Sequence, residues 1–287
     1  MKRHKICKII FAILAVFLCV AFYELIGICI TYKKQPAVSD ATIKETQNIM
    51  SVAGRENTER AVIIEKNSQA LLERVRLIQN AKDEIILSTF AFKSDESGKL
   101  ILGALHDAAD RGVHVRILVD GMESWIDMEG NPYFYGLSSH ENVEIKLYNK
   151  ANPLKPWKTM GRMHDKYLIA DGKIYILGGR NTYNYFLGDF PGHKNFDRDV
   201  LVVCDEPQKD NSVNQLWNYF ETIWEQEDCR YFHNSKKLAD RQSVKKAVLE
   251  LQEGYQQYFE VNKEKICDKD YADETFETEK ITLLSNP

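Results

Sequence analysis

The strongest constraint on the fold lies in the stretch His164–Asn181, HDKYLIADGKIYILGGRN. Asp171-Gly172 stands between two runs rich in strand-forming residues, and an Asp-Gly pair supplies the two positive-φ positions of a tight hairpin turn. A two-residue turn pairs Ala170 with Lys173, Leu168 with Tyr175, Lys166 with Leu177 and His164 with Gly179. Side chains alternate along a strand, so His164, Lys166, Gly179 and Asn181 are expected on one face, at the end of the hairpin away from its turn. An imidazole, a cation and an amide are thereby gathered beside Gly178 and Gly179, where an anionic group can approach the backbone closely. Asp171 sits at the turn, roughly 20 Å from His164 at about 3.3 Å per strand residue, and is expected to shape the hairpin without touching a substrate.

The flanking sequence supplies the sheet that such a hairpin needs. SQALLERVRLIQNA has apolar residues at helical spacing, EIILSTFAF reads as a buried strand, SGKLILGALHDAADRG as a helix ending at Gly112, and VHVRILVDG as a second strand. This is a βαβ unit, hence a parallel pair with a right-handed crossover. A helix near Pro132–Ser139, the strands VEIKLYN and RDVLVV, and the helix NSVNQLWNYFETIWEQ follow. The expected fold class is α/β, a three-layer α/β/α domain over residues 61–232 with a mixed, largely parallel sheet. Residues 233–287 read as a charged helical extension.

The N-terminus is different in kind. MKRHKICK precedes Ile9–Ile30, 22 residues in which Glu24 is the only charge. That run is long enough to span a bilayer, exceeds a usual signal-peptide core, and is followed by no small-x-small cleavage pattern. Residues 1–32 are therefore expected to be a membrane anchor, and polar residues 33–60 a stalk. Lys2, Arg3, Lys5 and Lys8 precede the span and only Lys33 and Lys34 follow it closely, which predicts a cytoplasmic N-terminus and a domain on the outer side. The chain carries −4 overall; with four Lys/Arg against one Glu in residues 1–32, the remainder carries about −7, which argues against a nucleic-acid partner. Six cysteines show no zinc spacing and no disulfide framework, leaving only a Cys229–Cys267 bridge open.

The offsets His164-x-Lys166-x4-Asp171-x6-Gly178-Gly179-x-Asn181 resemble, without a gap, the HKD motif of the phospholipase D superfamily. Six specified residues at about 1 in 20 each make a chance match anywhere in this chain an event of a few per million. The resemblance runs over about residues 61–231 and implies phosphodiester chemistry with no metal or cofactor. His164 would attack phosphorus to form a phosphohistidine, Lys166, Asn181 and the Gly179 backbone would hold the phosphoryl oxygens, and a second histidine from a second HKD motif would protonate the leaving group. The family takes a ring-orienting carboxylate from just before the strand after the motif, which here implies Asp197, with Asp199 as the alternative.

The resemblance leaves three functions open. A membrane tether favours phospholipid as substrate, for a hydrolase or for a phosphatidyltransferase similar to cardiolipin synthases. A dimeric HKD nuclease and a non-catalytic module are the alternatives. No second motif occurs, so the partner is expected to be a missing C-terminal half, in preference to a homodimer mate. The apolar ending ITLLSNP resembles an unfinished strand leading into such a half. Elsewhere, Lys155, Lys158 and Arg162 suit either headgroup steering or a solvated loop. The aromatic loop YNYFLGDFPGHKNF suits a cleft wall or a lipid contact, with His193 structural, and Trp217, Tyr219, Phe220 and Trp224 have the spacing of core residues.

Overall fold

The apolar runs assemble into one mixed sheet with helices on both faces. The structure is a computed structural model that describes residues 2–33, 38–51, 59–150, 152, 154–158, 160–206, 211–267, 270–279 and 281–285. The strands are β1 (Glu59–Ile64), β2 (Glu84–Thr89), β3 (His114–Asp120), β4 (Val143–Tyr148), β5 (Tyr167–Ala170), β6 (Ile174–Gly178), β7 (Asp199–Cys204), β8 (Cys229–Tyr231) and β9 (Phe276–Glu277). The helices are α1 (Lys2–Lys33), α2 (Asp40–Ser51), α3 (Asn67–Asn80), α4 (Glu96–Asp110), α5 (Gly121–Asp127), α6 (Pro132–Ser138), α7 (Ser212–Trp224), α8 (Gln242–Cys267) and α9 (Tyr271–Glu274). Strand order across the sheet is β8-β4-β3-β2-β5-β6-β7-β1-β9. Leu71, Leu102, Phe134 and Leu251 fill the core on one face; Leu216, Phe220 and Trp224 of α7 fill that on the other. The domain is thus the three-layer α/β arrangement the sequence predicts.

The expectation of a largely parallel sheet is corrected. Among the described strands, only β2–β3 and β3–β4 pair in parallel, and the other six pairings are antiparallel. The physical reason is connectivity: helical crossovers join sheet neighbours only from β2 to β3 and from β3 to β4, α3 and α7 leading to strands that are not adjacent, whereas the β5–β6 hairpin inserts antiparallel between β2 and β7.

The hairpin register is corrected by one residue. Asp171 and Gly172 do take positive φ, 52° and 59°, and Lys173 donates its N–H to Ala170 O at 3.0 Å. Lys173 nevertheless stays in the loop, so Ala170 pairs with Ile174, Leu168 with Ile176 and Tyr167 with Leu177. This register puts Ile176 beside Leu168 in one core and turns Tyr175 toward α7, where its hydroxyl meets Ser212 Oγ at 2.8 Å. Lys166 then lies across from Gly178, whose N–H donates to Lys166 O at 3.1 Å.

Order extends past the boundaries read from the sequence. β1 begins at Glu59, α2 lies within the segment read as a stalk, and residues 34–37 and 52–58 of that segment fall outside the described residues. α8 is laid directly on α4: a Cβ at Gly103 would stand 2.6 Å from Leu251 O, so only glycine permits the approach. β9 pairs with β1, and Ile281 and Leu283 pack on the α7 face. Residues beyond 232 therefore share the body of the domain. α1 is long and apolar enough to cross a membrane within His4–Lys33, where an 18-residue stretch has a mean hydropathy of 2.7. Cys229 and Cys267 are both free.

Candidate active site

One edge of the sheet collects the conspicuous side chains. β2 and β3 end there, β5 starts there, and β6 ends and β7 begins there, which is the carboxyl edge of the parallel strands where α/β folds usually bind ligands. His164 precedes β5 and is exposed; its ring meets Phe90 edge-on with centroids 4.7 Å apart. Contact with that ring removes water from one side, and this desolvation first, followed by the charges of Lys166 and Arg162, holds the imidazole below its ordinary pKa against the opposing pull of Asp165 and Asp120. The neutral, nucleophilic form is thereby favoured at neutral pH.

Lys166 is buried, with Nζ 5.5 Å from the Phe90 centroid and donating to His164 O at 2.5 Å. Burial lowers its pKa, while Asp165 and then Asp197 oppose the shift. Asn181 is also buried, and its Oδ1 accepts from Ala91 N–H at 3.1 Å, so the edge of the amide left for a ligand is the Nδ2 donor. The strand edge thus gathers an imidazole, a buried ammonium and an amide donor.

The two glycines serve a different purpose from the one the sequence suggests. A Cβ at Gly179 would collide with the Asp197 carboxylate, and one at Gly178 would lie 2.5 Å from Arg198 O and 2.6 Å from Asp199 Cα. The anionic groups that approach this backbone are the chain's own carboxylates. Asp197 accepts from its neighbour's Arg198 N–H at 3.0 Å, and among the described residues no side chain is hydrogen-bonded to the His164 ring. Asp199, the alternative ring-orienting carboxylate, is fully buried between Arg74 at 2.9 Å and Arg180 at 3.3 Å, and is consumed by that ion pair.

Residues 75–224, just over half of the chain, match the family described as cardiolipin synthase, PLD-like domain. The chain belongs to the phospholipase D superfamily. It is 33% identical over 181 residues to an uncharacterized protein of Helicobacter pylori strain 26695, across 58% of this chain and 35% of the relative. It is 29% identical over 154 residues to cardiolipin synthase C of Escherichia coli K12, across 49% of this chain and 31% of the relative. The chain thus spans about a third of the length of these two relatives. Its fold is similar to that of phosphatidylserine synthase from Haemophilus influenzae Rd KW20, with a TM-score of 0.51 and 16% identity over 75% of this chain and 47% of that one.

Around the phospholipase D motif stand supports that the sequence reading did not single out. Phe90, just past β2, has the His164 ring, Lys166 Nζ and the Arg162 guanidinium around it, the last 5.0 Å from its centroid. Asp120, buried at the end of β3, accepts from Met163 N–H at 3.2 Å and from Arg162 Nε at 2.9 Å, which fixes the two residues before His164. Tyr219 is more than a core residue, because its hydroxyl donates to Asp165 Oδ2 at 2.8 Å. Arg162 is committed to Asp120 and Glu123, and Lys158 to Asp228. Asp171 sits at the far end of β5 and accepts backbone N–H groups of Lys82, Asp83 and Glu84, pinning the hairpin to the start of β2. In the aromatic loop, Phe186 and Leu187 belong to the core and Tyr183, Tyr185 and Phe190 pack against it, while Phe196 is exposed.

Proposed function

We propose that this phospholipase D-like chain is a membrane-anchored phosphodiesterase or phosphatidyltransferase that acts on phospholipids through a phosphohistidine at His164. The observation that carries the reading is the exposed, neutral-leaning His164 ring on Phe90, at the strand edge that also carries buried Lys166 and Asn181. In the first step an imidazole nitrogen attacks phosphorus and the bond to the leaving alcohol breaks, its electron pair staying on the alcohol oxygen. That oxygen takes a proton from a second histidine, supplied by a second motif in a partner copy or another segment. In the second step water or a lipid hydroxyl attacks phosphorus, gives its proton to the second histidine, and returns the electron pair to His164. Lys166 Nζ, now on His164 O, and Asn181 Nδ2 are the donors for the phosphoryl oxygens, with Gly179 shaping the backbone beside them. Asp165 and then Asp197 oppose the downward pull of burial on the Lys166 pKa.

The anchor puts lipid within reach and favours it over nucleic acid. The N-terminus lies in the cytoplasm and the domain outside, so protease should reach the domain in spheroplasts and not in inverted vesicles. The deciding experiment compares a phospholipid and DNA as substrates for wild type and His164→Ala, using the full chain in vesicles. Lipid turnover that falls below a few per cent in the variant supports the proposal. His164-dependent cleavage of DNA alone identifies a nuclease, and no turnover of either substrate identifies a half-site or binding module.

A further inference from the structure

Three observations converge on the loop that leads into His164. First, the loop is docked on the membrane-spanning helix. Tyr23 of α1 donates its hydroxyl to Leu154 O at 3.1 Å, and Thr31 Oγ1 donates to Trp157 O at 2.6 Å. Between them, a Cβ at Gly27 would stand 2.6 Å from Pro156 Cγ, so a glycine inside the apolar run is what lets the loop seat.

Second, the level of this contact lies within the span. At ~1.5 Å per helical residue, Gly27 is about 5 Å and Tyr23 about 10 Å inside Ile30, where the apolar run ends. A segment held there lies at the headgroup and acyl boundary, the depth at which interfacial segments rest. Its unpaired side chains suit that level. Leu154 is 78% exposed, and Trp157 and Met160 are each 47% exposed. A soluble loop leaves water to cover these groups, whereas tryptophan at a bilayer interface buries its ring and keeps a polar edge.

Third, the charge around the loop matches lipid phosphates. A cavity of about 310 Å³ beside it is lined by Lys150, Lys155, Lys158 and Arg230 against Glu227 and Asp228, an excess of two positive charges. Lys158 is paired with Asp228 at 2.5 Å, while Lys150, Lys155 and Arg230 are exposed. Three residues separate Met160 from His164, and Asp120 fixes two of them, Arg162 and Met163.

We propose that the 154–158 loop with Met160 is a membrane-seated segment, held by α1 in the outer interface, that sets the His164 site at the headgroup level of the anchor's own bilayer. The partner is a phospholipid surface. This deepens the proposed function and rests on α1 spanning the membrane, but it does not depend on turnover.

The test uses the full chain in vesicles of phosphatidylcholine and phosphatidylglycerol, with part of the phosphatidylcholine brominated near the acyl carbonyl. Bromine quenches tryptophan only at close range, and the other three tryptophans are common to wild type and Trp157→Phe. We expect bromolipid quenching in wild type and a loss of roughly half or more of it in the variant, since Trp157 is the ring at the interface. Equal quenching of the two proteins overturns the proposal, as does a Trp157 signal quenched by aqueous iodide and untouched by bromolipid. In a second arm, Leu154→Asp is expected to lower turnover of vesicle phospholipid at least several-fold and to leave turnover of a soluble phosphodiester unchanged. An equal effect on both substrates counts against the proposal. If wild type turns over neither substrate while the Trp157 quenching holds, the catalytic reading fails and the seating stands.

Discussion

The Asp197 carboxylate occupies the space in which a side chain on Gly179 would begin. Asp197 also lends negative charge to the neighbourhood of Lys166. Gly179→Ala must push that carboxylate away from the strand edge. The strain should cost about 1–3 kcal/mol of stability. The larger effect should be on turnover, because a shift of about 1 Å in a site that positions a phosphate costs on the order of 100-fold. Thermal unfolding and turnover of the same sample check this; unchanged turnover would show that Asp197 has no part in the chemistry.

The His164 pKa supplies a second prediction, readable without turnover. Desolvation against Phe90 comes first in lowering it, and the positive charge of Lys166 adds to the effect. Removing a cation favours the protonated imidazole, so Lys166→Met should raise the His164 titration toward the ordinary value of about 6.5. NMR titration of the ring C–H resonances measures it directly. A midpoint that stays put, or moves to lower pH, would contradict the electrostatic account of the site.

The position of His164, Lys166 and Asn181 at one end of the hairpin was legible because spacing along a hairpin is local information, but their expected sharing of one face rested on a register that the structure shifts by one residue, so that Lys166 stands across from Gly178. Phe90, Asp120 and Tyr219 were not legible, because they reach the site from β2, β3 and α7, and an aromatic or acidic residue at an element's end looks the same whether or not a histidine lies opposite. The register was missed by one residue for a related reason: Asp-Gly serves two-residue and three-residue loops alike, and the choice was made by where Tyr175 and Ile176 find partners. The helical pattern of α8 was readable, but its docking depended on Gly103 in another helix. Parallel pairing was overestimated because the βαβ unit is contiguous in sequence while the antiparallel neighbours of β2 and β4 come from far along the chain.

Asp199 is predicted to matter for stability before chemistry. It lies fully buried between Arg74 and Arg180, so Asp199→Asn leaves two guanidinium groups facing each other without a counter-charge. Breaking a buried pair of this kind costs roughly 3–5 kcal/mol. Chemical denaturation should show the loss. A variant destabilised by less than about 1 kcal/mol would mean that water compensates the arginines, as at an exposed pair.

Asp171, the motif's own acid, should behave differently from both. Its Oδ1 accepts from Asp83 N–H at 2.8 Å and Glu84 N–H at 3.0 Å, and its Oδ2 from Lys82 N–H at 2.9 Å. Asparagine keeps one acceptor and still suits a positive-φ position before glycine, but it loses the charge and turns an N–H2 group toward the Lys82 N–H. Asp171→Asn is therefore expected to cost about 1.5–3 kcal/mol, the worth of a charge-assisted hydrogen bond. Turnover per folded molecule should stay within a few-fold of wild type, because Asp171 stands at the opposite end of β5 from His164. Parallel measurement of unfolding and turnover separates the two effects. If the folded Asp171→Asn protein were as inactive as His164→Ala, the hairpin would have to transmit the change along β5 to the site, and the assignment of Asp171 to anchoring alone would fall.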